Sequence, residues 1–511
     1  MVFFYAALFL ISFLLYNVYS LYLNYKDASA LGLPRLISPI TPDNPLWIAL
    51  QTIFKTVVRQ FPFGAVSFTR HTRLGWEFHD RFHTHVRLGD AWVLVTPTRN
   101  WIFVANAATV TDIFSRGRDF IRPTWMLEAL NVFGPNISTA EVHDWQRQRK
   151  LTATPFNEQK SPQVWDESFR QAEDMLQSWC SQSRDGTNAT PDDTRTLALH
   201  VLAYVAFQKS YPFGSISRHT IQDQDSLTYR DSISIILENA LLIMVLPEKL
   251  FNLPFLPRSS QQVGWAINSF RNYMASQVAA ERRLIQNGES GNRNLVSNLV
   301  RASNESHSTS LDPGEDNKLK PLTNTEILGN IFVFNYAGHD TTAISLSYAM
   351  LLLVANPQAQ DWVHEEITYY VGGRDSKTLA YSELFPKLKR SLAVLLETLR
   401  LYNPLPERWI ENSGNLEKES LFNPPKGTYF PWSEGIRNCP GKRFAQVEFV
   451  ATLTALFRSH AAEPVPNKGE SLDAARKRTL DTVKDSNVEL LLQMANLRSV
   501  SIRWRQRPAG K

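Results

Sequence analysis

The chain reads as mainly α-helical with a small β-sheet, a single large domain behind an N-terminal membrane-spanning helix. Three observations predict this. Helical apolar periodicity fills the stretch from about Ala108 to Glu281 and resumes from Thr323 nearly to the end. Strand-like runs are few and early, and the first 25 residues carry no charged side chain. With 511 residues, 43% hydrophobic and 20% charged, the chain has ample apolar material for a large core.

The elements follow in order. From Val2 to Leu23 the residues are mostly Phe, Leu, Val, Ile, Ala and Tyr, and about 20 such residues cross a bilayer as a helix. Lys26 and Arg35 follow, so the positive-inside rule keeps the bulk of the chain cytoplasmic. A cleaved signal peptide would need a basic residue before the apolar run and small residues at a cleavage site, and neither is present. Gly32-Leu33-Pro34 interrupts any helix and reads as a hinge. The expected division is anchor 1–25, linker 26–50 and body 51–511. Sequons at Asn136, Asn188 and Asn304 would stay unglycosylated in that orientation. Val86-Arg87-Leu88 and Trp92-Val93-Leu94-Val95, around Gly89-Asp90, read as a small hairpin. Residues 286–320, rich in Ser, Asn, Gly and charge, read as an exposed loop.

Bulk charge narrows the function. A net charge of +5 argues against an extended nucleic-acid surface and permits a local basic face for an acidic partner. The two cysteines, Cys180 and Cys439, can build neither a disulfide framework nor a zinc ribbon, which fits a reducing compartment. His79, His83 and His85 with Asp80 have spacing that zinc could use, His79 and His83 being one helical turn apart. We reject it because His85 leads into the first strand and no further acid follows at a suitable spacing.

The most informative stretch is Pro431-Trp432-Ser433-Glu434-Gly435-Ile436-Arg437-Asn438-Cys439-Pro440-Gly441-Lys442. A lone cysteine stands behind a Gly-x-Arg-x turn and before an expected helix, Lys442 to Arg458. Unpaired N–H groups and the helix dipole at that start favour thiolate over thiol. Pro440 donates no hydrogen bond, and Gly435 and Gly441 allow close approach of a flat group. Arg437 suits an anionic group beside a bound metal. These are the requirements of an axial ligand to heme iron.

The segment resembles the heme-binding loop of the cytochrome P-450 family, the heme-thiolate monooxygenases, whose pattern is Phe-x-x-Gly-x-Arg-x-Cys-x-Gly. Gly435, Arg437, Cys439 and Gly441 match, and Trp432 stands where Phe is usual, keeping an aromatic wall near the sulfur. A second element is Ala337-Gly338-His339-Asp340-Thr341-Thr342, inside an apolar helix that opens with the capping box Thr323 to Glu326 and ends at Asn356-Pro357. At 1.5 Å per residue that helix is roughly 50 Å long. The resemblance implies that Thr341 hydrogen-bonds dioxygen and that Asp340 relays protons. His339, on another face, reads as scaffold. Glu397-x-x-Arg400, placed on an expected helix from Glu383 to Leu401, resembles the family's structural ion pair. Arg408 in Pro406-Glu407-Arg408-Trp409 would join that pair. Trp145 and Arg149 resemble the family's Trp-x-x-x-Arg helix and would contact heme propionates.

The resemblance also implies heme b as cofactor and electrons from NADPH through a separate flavoprotein reductase, since the chain has no Gly-x-Gly-x-x-Gly. Lys442 and Arg443 are candidates for the reductase face. The aromatic and apolar segment from Arg122 to Thr139 is a candidate pocket lid. The implied activity is insertion of one oxygen atom of O₂ into a small apolar substrate, at the cytoplasmic side of the endoplasmic reticulum. The loop looks most like fungal microsomal members, which suggests specialised-metabolite synthesis. One departure stands out. Only 38 residues separate Arg400 from Cys439, several tens fewer than in the family, as if shortened internally between 401 and 410. A heme-binding relative with impaired catalysis, and a heme-thiolate isomerase or dehydratase, therefore remain open beside the monooxygenase.

Overall fold

The computed structural model describes residues 1–44, 47, 70–73, 75–152, 156, 158–182, 186–214, 227–289, 294–308, 320–401, 410–411, 415–488 and 491–508. Helices dominate these residues. They surround one helix, Asn324–Ala355, whose ends lie where the sequence places them. Thr323 accepts from the Glu326 N–H while Glu326 accepts from the Thr323 N–H, and Asn356 caps the far end before Pro357.

This crossing helix is apolar on all sides because it serves two cores at once. Its first half gives Ile327, Ile331 and Phe332 to a cluster formed with helices Thr190–Phe207, Tyr229–Glu238 and Arg258–Gln286. Its second half gives Leu346, Met350 and Leu353 to a cluster with helices Ser161–Gln182, Lys389–Leu401 and Lys442–Phe457. Residues from Leu346 to Val354 other than half-buried Leu352 are almost fully buried, so they supply much of the transfer free energy that fixes this helix.

The principal sheet has three strands, with β1 (Arg35–Ile37) parallel to β2 (Ala91–Val95) and β2 antiparallel to β3 (Asn100–Val104). Val93 faces Ile102 in the hairpin register. This corrects the expected hairpin. Val86 to Leu88 belong to a short helix, His83–Leu88, which Gly89 ends with φ +99°. Strand β2 finds partners on both edges elsewhere, and Val86 is left 77% exposed. His79 lies on Trp76–Asp80, a helix separate from that of His83. Three further two-stranded pairs complete the β structure among the described residues.

The N-terminal helix ends just before Gly32 (φ 67°), where the sequence expects Gly32-Leu33-Pro34 to interrupt it. The N-terminal helix runs unbroken from Val2 to Ala30. Ala28 is fully buried against Val93 and Val95. Ser20 donates to the Pro97 carbonyl at 2.6 Å and Asn24 to the Thr96 carbonyl at 2.8 Å. The last turns therefore dock on the β2–β3 turn, and β1 already belongs to the body before residue 50. Ala7–Ala30 is long and apolar enough to cross a membrane. The expected helix from Glu383 begins at Lys389, after a short helix Tyr381–Leu384. Within the expected loop 286–320, residues Leu295–Ser308 form a helix that buries Leu295, Val296, Leu299 and Val300.

Candidate active site

The cysteine loop closes on itself. The Cys439 N–H donates to the Trp432 carbonyl at 2.8 Å, and Ser433 (φ 60°) and Gly435 (φ 72°) take left-handed backbone. A Cβ on Gly435 would lie 2.5 Å from the Phe114 carbonyl oxygen. Glycine is thus required by contact with the helix Ala107–Ser115. Gly441 has ordinary backbone and caps Lys442–Phe457, and its Cβ would stand 3.8 Å from the Cys439 sulfur.

Cys439 opens onto a cavity of about 680 Å³. Its thiol is exposed to that space yet hemmed in by protein. Burial pushes its pKa up, against the Gly441 and Lys442 N–H groups and the Arg149 guanidinium, which pull it down. The N–H groups at the helix start pull toward thiolate, as the sequence expects, but for the free thiol desolvation outweighs them. A coordinated metal cation would reverse the balance.

The cavity lies between the loop and the crossing helix. Ala337, Gly338, Thr341 and Ser345 line one side, and Trp432, Arg437 and Cys439 another. Phe114, Ile137, Leu202 and Phe334 make the wall apolar. A Cβ at Gly338 would come within 3.2 Å of the Leu202 side chain. Thr341 Oγ1 donates to the Ala337 carbonyl at 2.7 Å, a back-bond that satisfies its hydrogen and leaves its lone pairs open. Asp340 is not on the cavity wall; its carboxylate accepts from Arg195 Nε at 2.8 Å. His339 is buried behind the helix, and burial pushes its pKa down to about 4. A second cleft, about 790 Å³, lies on that far side; Arg195 borders it, as does Arg498, which pairs with Asp192.

Helix Val142–Thr152 lays one face on the cysteine loop. Trp145 lies under Arg437, whose guanidinium carbon is 4.8 Å from the ring centroid. Arg149 donates to Asn438 Oδ1 at 3.1 Å. Neither Trp145 nor Arg149 lines the cavity. On another face Arg147 forms an ion pair with the helix-capping Glu326, and Asn330 donates to Gln148 at 2.9 Å. Those contacts fix this helix to the crossing helix. Nothing in the sequence pattern signals them.

Arg400 Nε donates to Glu397 at 2.6 Å. The Glu397 side chain is 38% exposed, while Leu395 and Leu399 of the same helix face the cavity. Arg408, with its Pro406–Trp409 element, lies outside the described residues. Lys442 is exposed, whereas Arg443 is committed to Glu158 at 3.0 Å and packs 4.2 Å from the Phe385 ring centroid. The lid segment contributes Arg122, Ile137 and Ser138 to the cavity. Ser345, one turn beyond Thr341, could have been found from helical spacing. Phe156, stacked edge-on to Phe334 at 4.9 Å, could not.

Three features on one cavity fit a heme with a thiolate ligand: an open sulfur, apolar walls, and a buried Arg437 Nη1 without a partner. Comparison with known proteins agrees. A sequence model of the cytochrome P-450 family matches residues 62–408 and 405–480. The chain belongs to the cytochrome P-450 family and is an oxidoreductase of the monooxygenase type. It is 26% identical to a cytochrome P-450 monooxygenase of Arthrobotrys oligospora, over 95% of this chain and 96% of that one. That alignment spans 568 positions, more than the 511 residues here, so the relative carries residues this chain lacks. Identity is 25% with the phomenoic acid biosynthesis cluster cytochrome P-450 monooxygenase of Leptosphaeria maculans, over 88% of this chain and 90% of that one. It is likewise 25% with a cytochrome P-450 monooxygenase of Postia placenta, over 83% and 90%. The family implies heme-thiolate iron, a redox partner and an organic substrate. Its two matched pieces meet at 405–408, inside the stretch 401–410 where the sequence analysis expects a shortening.

Proposed function

We propose that this chain inserts one oxygen atom of O₂ into a small apolar substrate and reduces the other to water, with NADPH electrons arriving through a separate flavoprotein reductase. The observation that carries the reading is the Cys439 sulfur and the Thr341 hydroxyl bordering one largely apolar cavity. Bound heme b would supply the oxygen-activating chemistry. Cys439 Sγ would hold its iron, with Arg437 beside it on the same loop. Phe114, Leu202 and Phe334 exclude water and give an apolar substrate a surface to bury. Thr341 Oγ1 can accept a hydrogen bond at the cavity, and Asp340, the residue before it, accepts from Arg195.

The long apolar N-terminal helix supports residence at a membrane, read here as the cytoplasmic face of the endoplasmic reticulum. The biosynthesis-cluster name of the Leptosphaeria relative supports a role in specialised metabolism. Reducing the purified chain under carbon monoxide tests the ligand. A strongly red-shifted Soret band is expected, and Cys439→Ala should abolish it. Substrate-dependent NADPH consumption with added reductase tests the reaction, and its absence alongside turnover would indicate an isomerase or dehydratase. The shortening near residue 405 favours a second reading, a heme-binding relative without turnover. That reading expects the same band with no substrate-dependent NADPH consumption.

A further inference from the structure

Residues Asn415 to Leu421 stand just past the stretch 401–410, where the sequence analysis expects a shortening, and are pinned to helices that precede it. Glu419 and Arg390 form an enclosed ion pair, their side chains 1% and 2% exposed. Arg390 Nε and Nη2 donate to the Glu419 carboxylate at 2.9 and 2.8 Å, the forked geometry that makes such pairs strong. Its third nitrogen, Nη1, donates to the Trp362 carbonyl at 2.7 Å and to Glu365 at 2.6 Å. Lys389 donates to the Glu419 carbonyl. Nearby, Tyr369 donates to Glu417 at 2.8 Å and Tyr370 to the Leu416 carbonyl at 3.1 Å. Further along, Tyr429 donates to the Leu396 carbonyl at 2.9 Å. All these partners lie on helix Pro357–Tyr370 or helix Lys389–Leu401. Ile410 and Glu411 add a backbone pairing with Leu421 and Ser420. Helix Lys389–Leu401 also turns Leu395 and Leu399 to the cavity and shares a core with Lys442–Phe457. The contacts therefore tie the segment that leads into the cysteine loop to a helix that walls the cavity. Glu419 precedes Cys439 by 20 residues, and neither it nor Arg390 belongs to any motif of the sequence.

We propose that Glu419 is a positioning residue for the Cys439 sulfur. Gripped by Arg390, with Tyr429 as a second pin, it registers the cysteine loop against helix Lys389–Leu401 without relying on the connection through 402–409. The inference rests on the heme-thiolate reading above. On this assignment a shortening at 401–410 leaves the thiolate ligand in place, and bears on turnover rather than on ligation. Two physical asymmetries support it. Removing one partner of an enclosed pair leaves a buried charge unanswered. Lengthening a connection costs little, because closure entropy grows slowly with length.

The test uses the full chain loaded with heme and reduced under carbon monoxide. The thiolate-type Soret band and the far-ultraviolet helix signal are followed together during gentle warming. Glu419→Gln should speed decay of the band roughly tenfold or more while the helix signal holds. Arg390→Lys, which keeps the charge and loses the fork, should fall between wild type and Glu419→Gln. Tyr429→Phe should speed decay about threefold. Inserting a flexible run of about ten Gly and Ser residues between Leu405 and Pro406 should change it by less than about twofold. An insertion that speeds decay as much as Glu419→Gln overturns the proposal, as does a Glu419→Gln band that lasts as long as wild type. Loss of band and helix signal at one rate also overturns it, because Glu419 would then hold the fold and not the sulfur. Where Glu419→Gln yields no folded chain, Tyr429→Phe takes its place, and decay at the wild-type rate overturns the proposal. A wild-type chain without a thiolate-type band would sink the functional reading itself. A normal wild-type band with an insensitive Glu419→Gln sinks only this assignment.

Discussion

The two sides of the cavity are built by opposite rules. The loop side, from Pro431 to Lys442, leaves its chemistry unfinished: a sulfur open to the cavity with the Gly441 and Lys442 N–H groups beside it, a buried guanidinium nitrogen without an acceptor, and left-handed backbone at Ser433 and Gly435. The helix side completes its own bonding. Thr341 gives its proton to Ala337, Ser345 donates to Thr341 at 2.8 Å, and Asp340 is held by Arg195. The loop side is the one whose groups the proposed function gives to a cofactor. The helix side is stable as it stands, and its reactive groups need only exchange one partner for another.

The comparison can be broken in order of expected effect. Cys439→Ala should remove the thiolate-type band and lower turnover by roughly a thousandfold or more, as loss of a principal catalytic group does. Retained turnover would mean that the loop is not the business end of the cavity.

Next comes the backbone. Gly435→Ala forces a side chain into left-handed conformation, at about 1–2 kcal/mol, and against the Phe114 carbonyl. We expect a loss of about 3 kcal/mol in denaturant unfolding, with reduced heme content. Gly441→Ala, with negative φ and only ordinary contacts, should cost less than about 1 kcal/mol. Equal effects at the two glycines would remove the distinction drawn between them.

Behind the helix, His339 is held neutral by burial, with Asp340 pulling its pKa up and Arg195 pulling it down, to about 4 overall. The unfolded chain binds that proton first. Stability from the neutral ring is thus complete above pH 6.5 and is lost as pH falls from 6.5 to about 4. His339→Gln should flatten the dependence of unfolding free energy on pH within that window, by at most roughly 3 kcal/mol. An unchanged slope would show that the ring titrates freely.

The smallest structural effect belongs to Thr341→Ala. Because its hydroxyl bonds only its own helix, stability should change by less than about 1 kcal/mol. Heme content should hold while more of the NADPH electrons appear as peroxide. A large stability loss would place Thr341 among the residues that hold the fold.

Much of the crossing helix was legible because local chemistry decides it. A capping box at Thr323 and a proline after Asn356 set its ends whatever surrounds it. The helix after Cys439 was legible for the same reason, with observed bounds Lys442–Phe457. The hairpin was misplaced because a short run such as Val86 to Leu88 has no intrinsic preference strong enough to choose between helix and strand. Strand β2 chose β1 and β3 by tertiary contact. The helix Leu295–Ser308 was overlooked in a polar stretch although Leu295, Val296, Leu299 and Val300 recur at helical spacing. Its apolar face was written in the residues and obscured by the composition around them.

The sequence by itself determined the family and the residues proposed for its chemistry: one cysteine after Gly435 and Arg437, and one Gly338–Thr341 step in a buried helix, are covalent facts about spacing. Only the tertiary structure decided which charges meet. It set Arg149 against Asn438, placed Arg122 and Arg437 on the cavity wall, seated the end of the N-terminal helix on the sheet, and let desolvation outweigh the helix dipole at the Cys439 thiol. Spacing along a chain is fixed by bonds. Burial and charge pairing depend on groups hundreds of residues apart, and exist only once the chain has folded.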